Sequence, residues 1–348
     1  MTVDVKELKF GLDTFGDVAY DDHTQQLMSY AQSLRNIVEE GKLADQLGID
    51  VIALGEHHRD EFSISSPETV LAALSTVTKN IILGTGVTVL SSDDPVRVYE
   101  RFATLDALSN GRAQIMLGRG SFTESFPLFG YDLNDYDALF EEKIALFNEL
   151  LKEEPLNWRG NLTQTLTNTE LFPKLEGHSL DTHVGVGGSP ESIIRAAKYG
   201  FPLMLAIIGG EPTRFNPYID LYKRSAEQFG QIAHPIGMHS HGVIADTDQE
   251  AEEIAWNYIR KAMSRIGSER GWPEMTRERF DFEITAGSYY VGSPETVAKK
   301  IAKTLSSMDI KRFDLVYGAG GQLQRDRFRT IQLYGEKVIP MVKELLRK

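Results

Sequence analysis

Cysteine is missing from all 348 residues. Its absence excludes disulfides, thiolate nucleophiles and cysteine-ligated zinc or iron–sulfur centres. Long apolar runs are missing too, so no membrane-spanning helix is expected from a chain that is 41% hydrophobic and 25% charged. Positive charge is in short supply: 37 Lys and Arg face 50 Asp and Glu, a formal net charge of −13. A surface that negative repels phosphate backbones unless a basic stripe is hidden in it. The nearest candidate, Gln324-Arg325-Asp326-Arg327-Phe328-Arg329, is broken by an aspartate and reads as the opening of a solvated helix. Neither nucleic acid nor a membrane is an expected partner. The stretch Met1 to Glu7 lacks a basic start followed by an apolar block, so no secretory leader is expected and the chain reads as cytoplasmic.

What is present is a series of short apolar runs. Val51-Ile52-Ala53-Leu54 ends abruptly in Gly55-Glu56-His57-His58. A run with both faces apolar reads as a strand of a parallel sheet covered by helices, and ligands collect beyond the carboxyl ends of such strands. Similar runs lie at Lys9–Asp13, Ile81–Leu90, Ala113–Leu117, Thr182–Gly188, Gly200–Ile208, Ile236–Ile244 and Phe313–Gly318. Between them the spacing of apolar residues predicts helices over Met28–Leu47, from Pro67 to Thr78, from Pro95 to Leu108, and over Ala138–Leu151, Tyr218–Phe229 and Asp248–Ile266. Further helices are expected to start at Ser189-Pro190 and Ser293-Pro294, and a last one covers Phe328–Leu346. Eight strand–helix pairs without a linker predict one α/β domain over residues 1–348, a (β/α)8 TIM barrel with an extra C-terminal helix. The segment Phe122–Asp181 after the fourth strand is long for a connection and is expected to act as a lid.

A barrel would gather its polar strand ends at one mouth: Glu56, His57 and His58; Gly86, Arg119 and Ser121; Gly188, Ser189 and Ser192; His239 and His241. Gly187-Gly188-Ser189-Pro190-Glu191-Ser192 is a strand-to-helix turn whose amides and hydroxyls suit a phosphate, although N-capping by Ser189 explains it equally well. In His239-Ser240-His241 strand alternation puts both imidazoles on one face. With His57 and His58 they suggest a hydrolase metal site as the weaker reading, because the adjacent pair diverges and no aspartate ends the eighth strand beside a metal.

Gly55-Glu56-His57-His58, Leu83-Gly84-Thr85-Gly86-Val87, the segment Leu105 to Arg112, Gly118-Arg119-Gly120, Val186-Gly187-Gly188-Ser189-Pro190-Glu191, Ala245-Asp246-Thr247 and Val291-Gly292-Ser293-Pro294-Glu295 occur in this order along nearly the whole chain. Together they resemble the bacterial luciferase-like flavin-dependent monooxygenases. The resemblance implies the same barrel with an insertion, and reduced FMN as co-substrate at its mouth. It implies a non-prolyl cis peptide at Gly86-Val87, with Thr85, Gly86 and Val87 beside the flavin. Arg119, Ser121, Gly187, Gly188, Ser189 and Ser192 would bind the cofactor's tail, and Ala206 and Ile207 its ring. His57 matches the catalytic base, with Glu56 to orient it. Two positions depart from luciferase: Gly118 stands for its reactive cysteine, and Asp137 for a second phosphate-binding arginine.

By the same resemblance a separate flavin reductase supplies reduced FMN, O2 converts it to a flavin C4a-peroxide, and a small organic substrate is oxidised by a homodimeric enzyme. His57, with an ordinary pKa of about 6.5, would exchange a proton near neutral pH. The alternatives are a deazaflavin (F420)-dependent oxidoreductase, which would not consume O2, and a non-catalytic flavin-binding protein.

Overall fold

Burial on both faces governs the strands. All four residues of β2 (Val51–Leu54), all six of β5 (Ala113–Gly118), all eight of β10 (Gly237–Ile244) and all five of β12 (Arg312–Val316) are buried. With β1 (Lys9–Thr14), β3 (Ile82–Thr85), β8 (Asp181–Val186) and β9 (Leu203–Ala206) they close a barrel. Its order is β12-β1-β2-β3-β5-β8-β9-β10 and back to β12, every pair parallel. This is the expected TIM barrel. The structure, a computed structural model, describes residues 4–347. The first three residues of the stretch from which no leader was expected, and the last residue of the expected 1–348 unit, lie outside the described residues.

Around the barrel run α1 (Tyr30–Gln46), α2 (Pro67–Val77), α3 (Pro95–Ser109), α5 (Tyr136–Leu150), α6 (Pro190–Lys198), α7 (Asn216–Gln228), α8 (Asp248–Arg270), α10 (Pro294–Ser307), α11 (Gln324–Leu333) and α12 (Ile339–Leu346), with a short α4 (Ser125–Leu128) at the mouth. Proline near the first position and a capping oxygen set several starts: Asp94 accepts from the Val96 amide, and Thr247 from the Glu250 amide. Gly271, at φ +68°, stops α8, four residues later than the spacing predicts.

The third apolar run is not one strand. It breaks at a cis peptide between Gly86 and Val87, and resumes as β4 (Thr88–Val89). The pairing slips by one residue across the break, from Gly84 opposite Gln114 to Thr88 opposite Leu117, so the chain bulges there. Thr85 secures the break: its hydroxyl oxygen accepts the Met116 amide at 3.1 Å and lies 3.0 Å from the Thr88 hydroxyl.

The spacing rules miss two small elements after α8, namely α9 (Arg277–Thr285) and β11 (Tyr290–Gly292), which extends the sheet from β10. The segment after the fourth barrel strand holds an antiparallel hairpin, β6 (Leu156–Trp158) with β7 (Leu166–Thr169). Its turn is pinned to α5 by Glu142, which accepts the amides of Asn161, Leu162 and Thr163. The expected last helix is interrupted by a π-turn over Tyr334–Val338.

The stretch expected to open a solvated helix instead buries Arg327. Its guanidinium donates to both Glu40 oxygens at 2.8 and 2.9 Å and to the Asp17 carbonyl at 2.9 Å. Tyr317 and Gln324 donate to the same carboxylate, so one buried ion pair joins α1, α11 and the end of β12. Removing the cation strands a buried carboxylate, which is far more damaging than losing an exposed pair. Arg327→Met is expected to lower the urea-unfolding free energy by about 3–5 kcal/mol. A loss below about 1 kcal/mol would show that Glu40 is satisfied without it.

Candidate active site

A cavity of about 760 Å³ opens at the carboxyl ends of the strands, within the size range of cofactor and ligand sites. Its floor is built around Val87. A Cβ at Gly118 would stand 2.4 Å from the Val87 side chain and one at Gly185 2.8 Å, so glycine at both places lets Val87 lie between β5 and β8 as a ledge. Gly86 is tight for a different reason: a Cβ there would meet the Asp13 carboxylate at 2.8 Å. Met116, Ala206 and Ile208 continue the apolar wall. Ile207 does not contribute; it turns outward into the core and the neighbouring Ile208 faces the cavity. Thr85 is likewise behind the wall rather than in it.

Along one side stand the residues that follow β2. Glu56 does not reach His57. One of its oxygens lies 3.0 Å from His58 Nε2, and the other accepts the Val89 amide at 2.9 Å, which fixes the loop to β4. His57 stacks on Phe62 with ring centroids 4.3 Å apart and meets the edges of Phe15 and Phe122. Its buried Nε2 has no hydrogen-bonding partner among the described residues. Burial first, then the His58 and Arg59 charges, push its imidazole down to about 3. The expectation of proton exchange at an ordinary histidine pKa is thereby corrected: at neutral pH His57 is uncharged. His241 is in the same condition, with Nδ1 unpartnered and its imidazole pushed down to about 3 by burial and then by His239. An unpaired polar atom in a buried wall is costly unless a ligand meets it.

The expected phosphate end is only partly assembled. Arg119, Ser121, Gly187 and Ser192 line the cavity, whereas Gly188 and Ser189 do not. Ser189 acts as the plain cap of α6: its hydroxyl accepts the Ser192 amide at 3.4 Å and donates to Glu191 at 2.8 Å. Arg119 donates to Asp137 at 2.8 Å. The departure noted at Asp137 thus places a carboxylate where it competes with any phosphate for the Arg119 guanidinium. Ser121 offers its carbonyl to Arg270 at 2.9 Å.

The roof comes from a segment the sequence did not single out. Met263, Ile266 and Arg270 of α8, followed by Trp272, cover the cavity, and Glu283 of α9 reaches its wall. Of the expected lid over Phe122–Asp181 only Phe122, Glu124, Ser125 and Tyr136 take part, and the β6–β7 hairpin lies elsewhere. Arg59 holds roof and wall together through Glu61, Glu124 and Glu269, at 2.6 to 2.9 Å. The available signal was the run of apolar residues at Ala262, Met263 and Ile266, inside the expected helix, with Trp272 beyond its end. Among the described residues no three His, Asp or Glu side chains converge as metal ligands.

An apolar ledge and walls at one part of the cavity, a guanidinium and helix start at another, and unpaired imidazoles beside them fit a planar heteroaromatic ring with a phosphate tail. Residues 8–309 match the family described as luciferase-like monooxygenase. The alkanal monooxygenase alpha chain of Photorhabdus luminescens is 25% identical over 355 residues, covering 91% of this chain and 94% of that one. A second alpha chain from that species is 28% identical over 243 residues, 66% of this chain and 64% of its own length. The monooxygenase RslO1 from Streptomyces bottropensis superposes with a TM-score of 0.82 at 23% identity, covering 96% and 99% of the two chains. The oxygenating constituent of 3,6-diketocamphane monooxygenase from Pseudomonas putida, solved with FMN, gives 0.74 at 18% identity over 96% and 98%. The F420-dependent tetrahydromethanopterin reductase of Methanopyrus kandleri gives 0.71 at 18% over 96% and 99%. At such identities these structures speak to the fold.

The two neutral imidazoles make stability pH-dependent. Both titrate near 3 when folded and near 6.5 when unfolded. The unfolded chain therefore takes up their protons first, and the stability they allow, complete above about pH 6.5, is lost as pH falls toward 3. Below the unfolded value each contributes a slope of about 1.4 kcal/mol per pH unit. Denaturant unfolding of the double variant His57→Gln, His241→Gln is expected to show a flatter pH dependence between about pH 6.5 and 5 than the parent. An unchanged slope would mean that these rings are already charged in the folded protein.

Proposed function

The chain belongs to the luciferase-like monooxygenases, and from that membership we propose that it oxidises a small organic substrate with O2 and reduced FMN. The observation that carries this reading is the slot over Val87, which glycines at 118 and 185 leave room to form and which the unpartnered His57 faces. Reduced FMN bound there would supply the electrons with which O2 is activated. The remaining work falls to the chain. Val87, Met116 and Ala206 would pack against the ring, while Arg119, Ser192 and the Gly187 turn would hold the phosphate. Gly188 and Ser189 would support that turn from behind, and Ser121 stands in the cavity lining beside Arg119.

His57, uncharged at neutral pH, would act as a hydrogen-bonding partner at the reacting oxygen, donating from one nitrogen and accepting at the other. Glu56 would serve indirectly, since it fixes His58 and the start of β4. Phe15, Phe62 and Phe122 with the α8 roof would keep water from the oxidising centre. Supply of reduced FMN by a separate flavin reductase, and assembly as a homodimer, are parts of the proposal that rest on the family alone.

A second reading has support from the F420-dependent reductase that shares the fold. A deazaflavin in the same slot would pass a hydride to or from the substrate and would consume no O2. Titration of the purified protein with FMN, reduced FMN and F420, followed by O2 uptake with aldehydes, ketones and thioethers, separates the two. Saturable binding of reduced FMN with substrate-dependent O2 uptake is expected, and tight F420 binding without it would overturn the proposal.

Arg119→Ala is expected to weaken reduced FMN by tenfold or more, as loss of a charge-assisted contact should. Asp137→Asn is expected to do the opposite, because it frees Arg119 from its present partner. His57→Ala is expected to keep FMN affinity within about twofold and to lose substrate-dependent oxidation by about 10²-fold or more. Undiminished turnover would remove His57 from the reaction.

A further inference from the structure

A substrate that gives up a proton in this cavity needs a basic nitrogen with a partner on its other side. His57 and His241 have no carboxylate against them, and burial keeps them uncharged. His239 differs. It lines the same cavity, lies two residues before His241 on β10, and places Nδ1 at 2.6 Å from Asp13 Oδ2 of β1, over the intervening β12. Both members are almost fully buried.

The charges facing this pair come from three strands. Asp13 is on β1, His239 and His241 on β10, and Arg312 and Asp314 on β12. Arg312 donates to both oxygens of Asp314 at 2.9 and 2.6 Å and sends its remaining arm to Gln114 at 2.6 Å. Its charge is therefore matched by Asp314. Asp13 has only His239, and its Oδ1 meets no donor. Gly86, on β3's far end, presents only backbone to it. Asp13 is thus a buried carboxylate whose one hydrogen-bonding partner among the described residues is His239, with Arg312 acting on it through space.

We propose that Asp13 and His239 form a carboxylate–imidazole pair that is the resident base of the cavity, with His239 Nε2 accepting a proton from the bound substrate. Asp13 is the positioning residue. It takes the Nδ1–H, which leaves the Nε2 lone pair toward the cavity, and it stabilises the imidazolium that forms. In the step the substrate's X–H bond breaks, an Nε2–H bond forms, and the electron pair stays on X. The Asp13–His239 pair goes from one net negative charge to none, and no oxidant takes part. The fitting substrate class is one with an acidic O–H, N–H or S–H, or with a C–H beside a carbonyl. The inference rests on the cavity being the substrate site, but the measurements below use no flavin, so their outcome is separate from the FMN titration.

The first measurement is the tautomer of His239, read from ring nitrogen and carbon shifts of the full-length protein labelled in histidine. The Nδ1–H form is expected. An Nε2–H form, with Asp13 protonated and donating instead, overturns the proposal. The second uses 4-nitrophenol, whose ionised form is coloured, below its own ionisation point. Saturating probe is expected to develop the phenolate band with the parent protein. His239→Gln is expected to reduce that band at least tenfold, and Asp13→Asn, the more conservative change, to reduce it too. No phenolate band with the parent, or a band undiminished in His239→Gln and Asp13→Asn, overturns the proposal. A merely structural pair would leave the colour of the bound probe unchanged.

Discussion

Closing eight parallel strands into a barrel buries the inward face of every strand, and any polar side chain placed there must find its partner across the interior. This chain places an unusual number there. Arg312 spans from Asp314 to Gln114, and Gln114 continues to Asp181 at 2.5 Å. Glycine at position 11 makes the layer possible, because a Cβ would stand 2.2 Å from Asp314 Oδ1. The lower interior is thereby cross-linked by charge and hydrogen bond rather than filled by aliphatic side chains. Above it the polar layer gives way to Asp13 and His239, and above those to the cavity.

The same economy of space shapes the floor. Glycines at 86, 118 and 185 are not loose points in the strands; each is where another side chain already occupies the volume a Cβ would need. Asp13 sits under Gly86, and Val87 fills the gap left by Gly118 and Gly185. Gly118, which the resemblance sets at the place of luciferase's reactive cysteine, is one of the two glycines that accommodate Val87, so glycine there has a packing reason.

Electrostatics divides the cavity. The aromatic side around His57 is buried and keeps its imidazole neutral, as does the wall at His241. Charge gathers at the rim, where Arg59 holds Glu61, Glu124 and Glu269 and Arg119 meets Asp137, and in the buried pair of Asp13 with His239. Those rim pairs join segments that are far apart in sequence, so the roof from α8 is held to the loop after β2 and to the short α4 by one guanidinium.

The sequence by itself determined the barrel, because strand burial and helix periodicity are local patterns that each segment carries alone. It also located residues of the cavity: Glu56, His57 and Arg119 follow strands that could be counted along the chain, and Ser192, His239 and His241, from α6 and β10, line it too. It did not assign partners. Glu56 and His57 are adjacent in the chain, yet Glu56 serves His58 and β4, and Asp13 reaches His239 226 positions away. Nor did it fix register at strand ends, where one residue decides whether Ile207 or Ile208 meets the cavity. The roof is α8, while the β6–β7 hairpin is pinned to α5 by Glu142. Ionisation was the last of these to be decided, since a histidine's proton depends on what surrounds it in space, and only the closed barrel puts a carboxylate beside His239 and none beside His57.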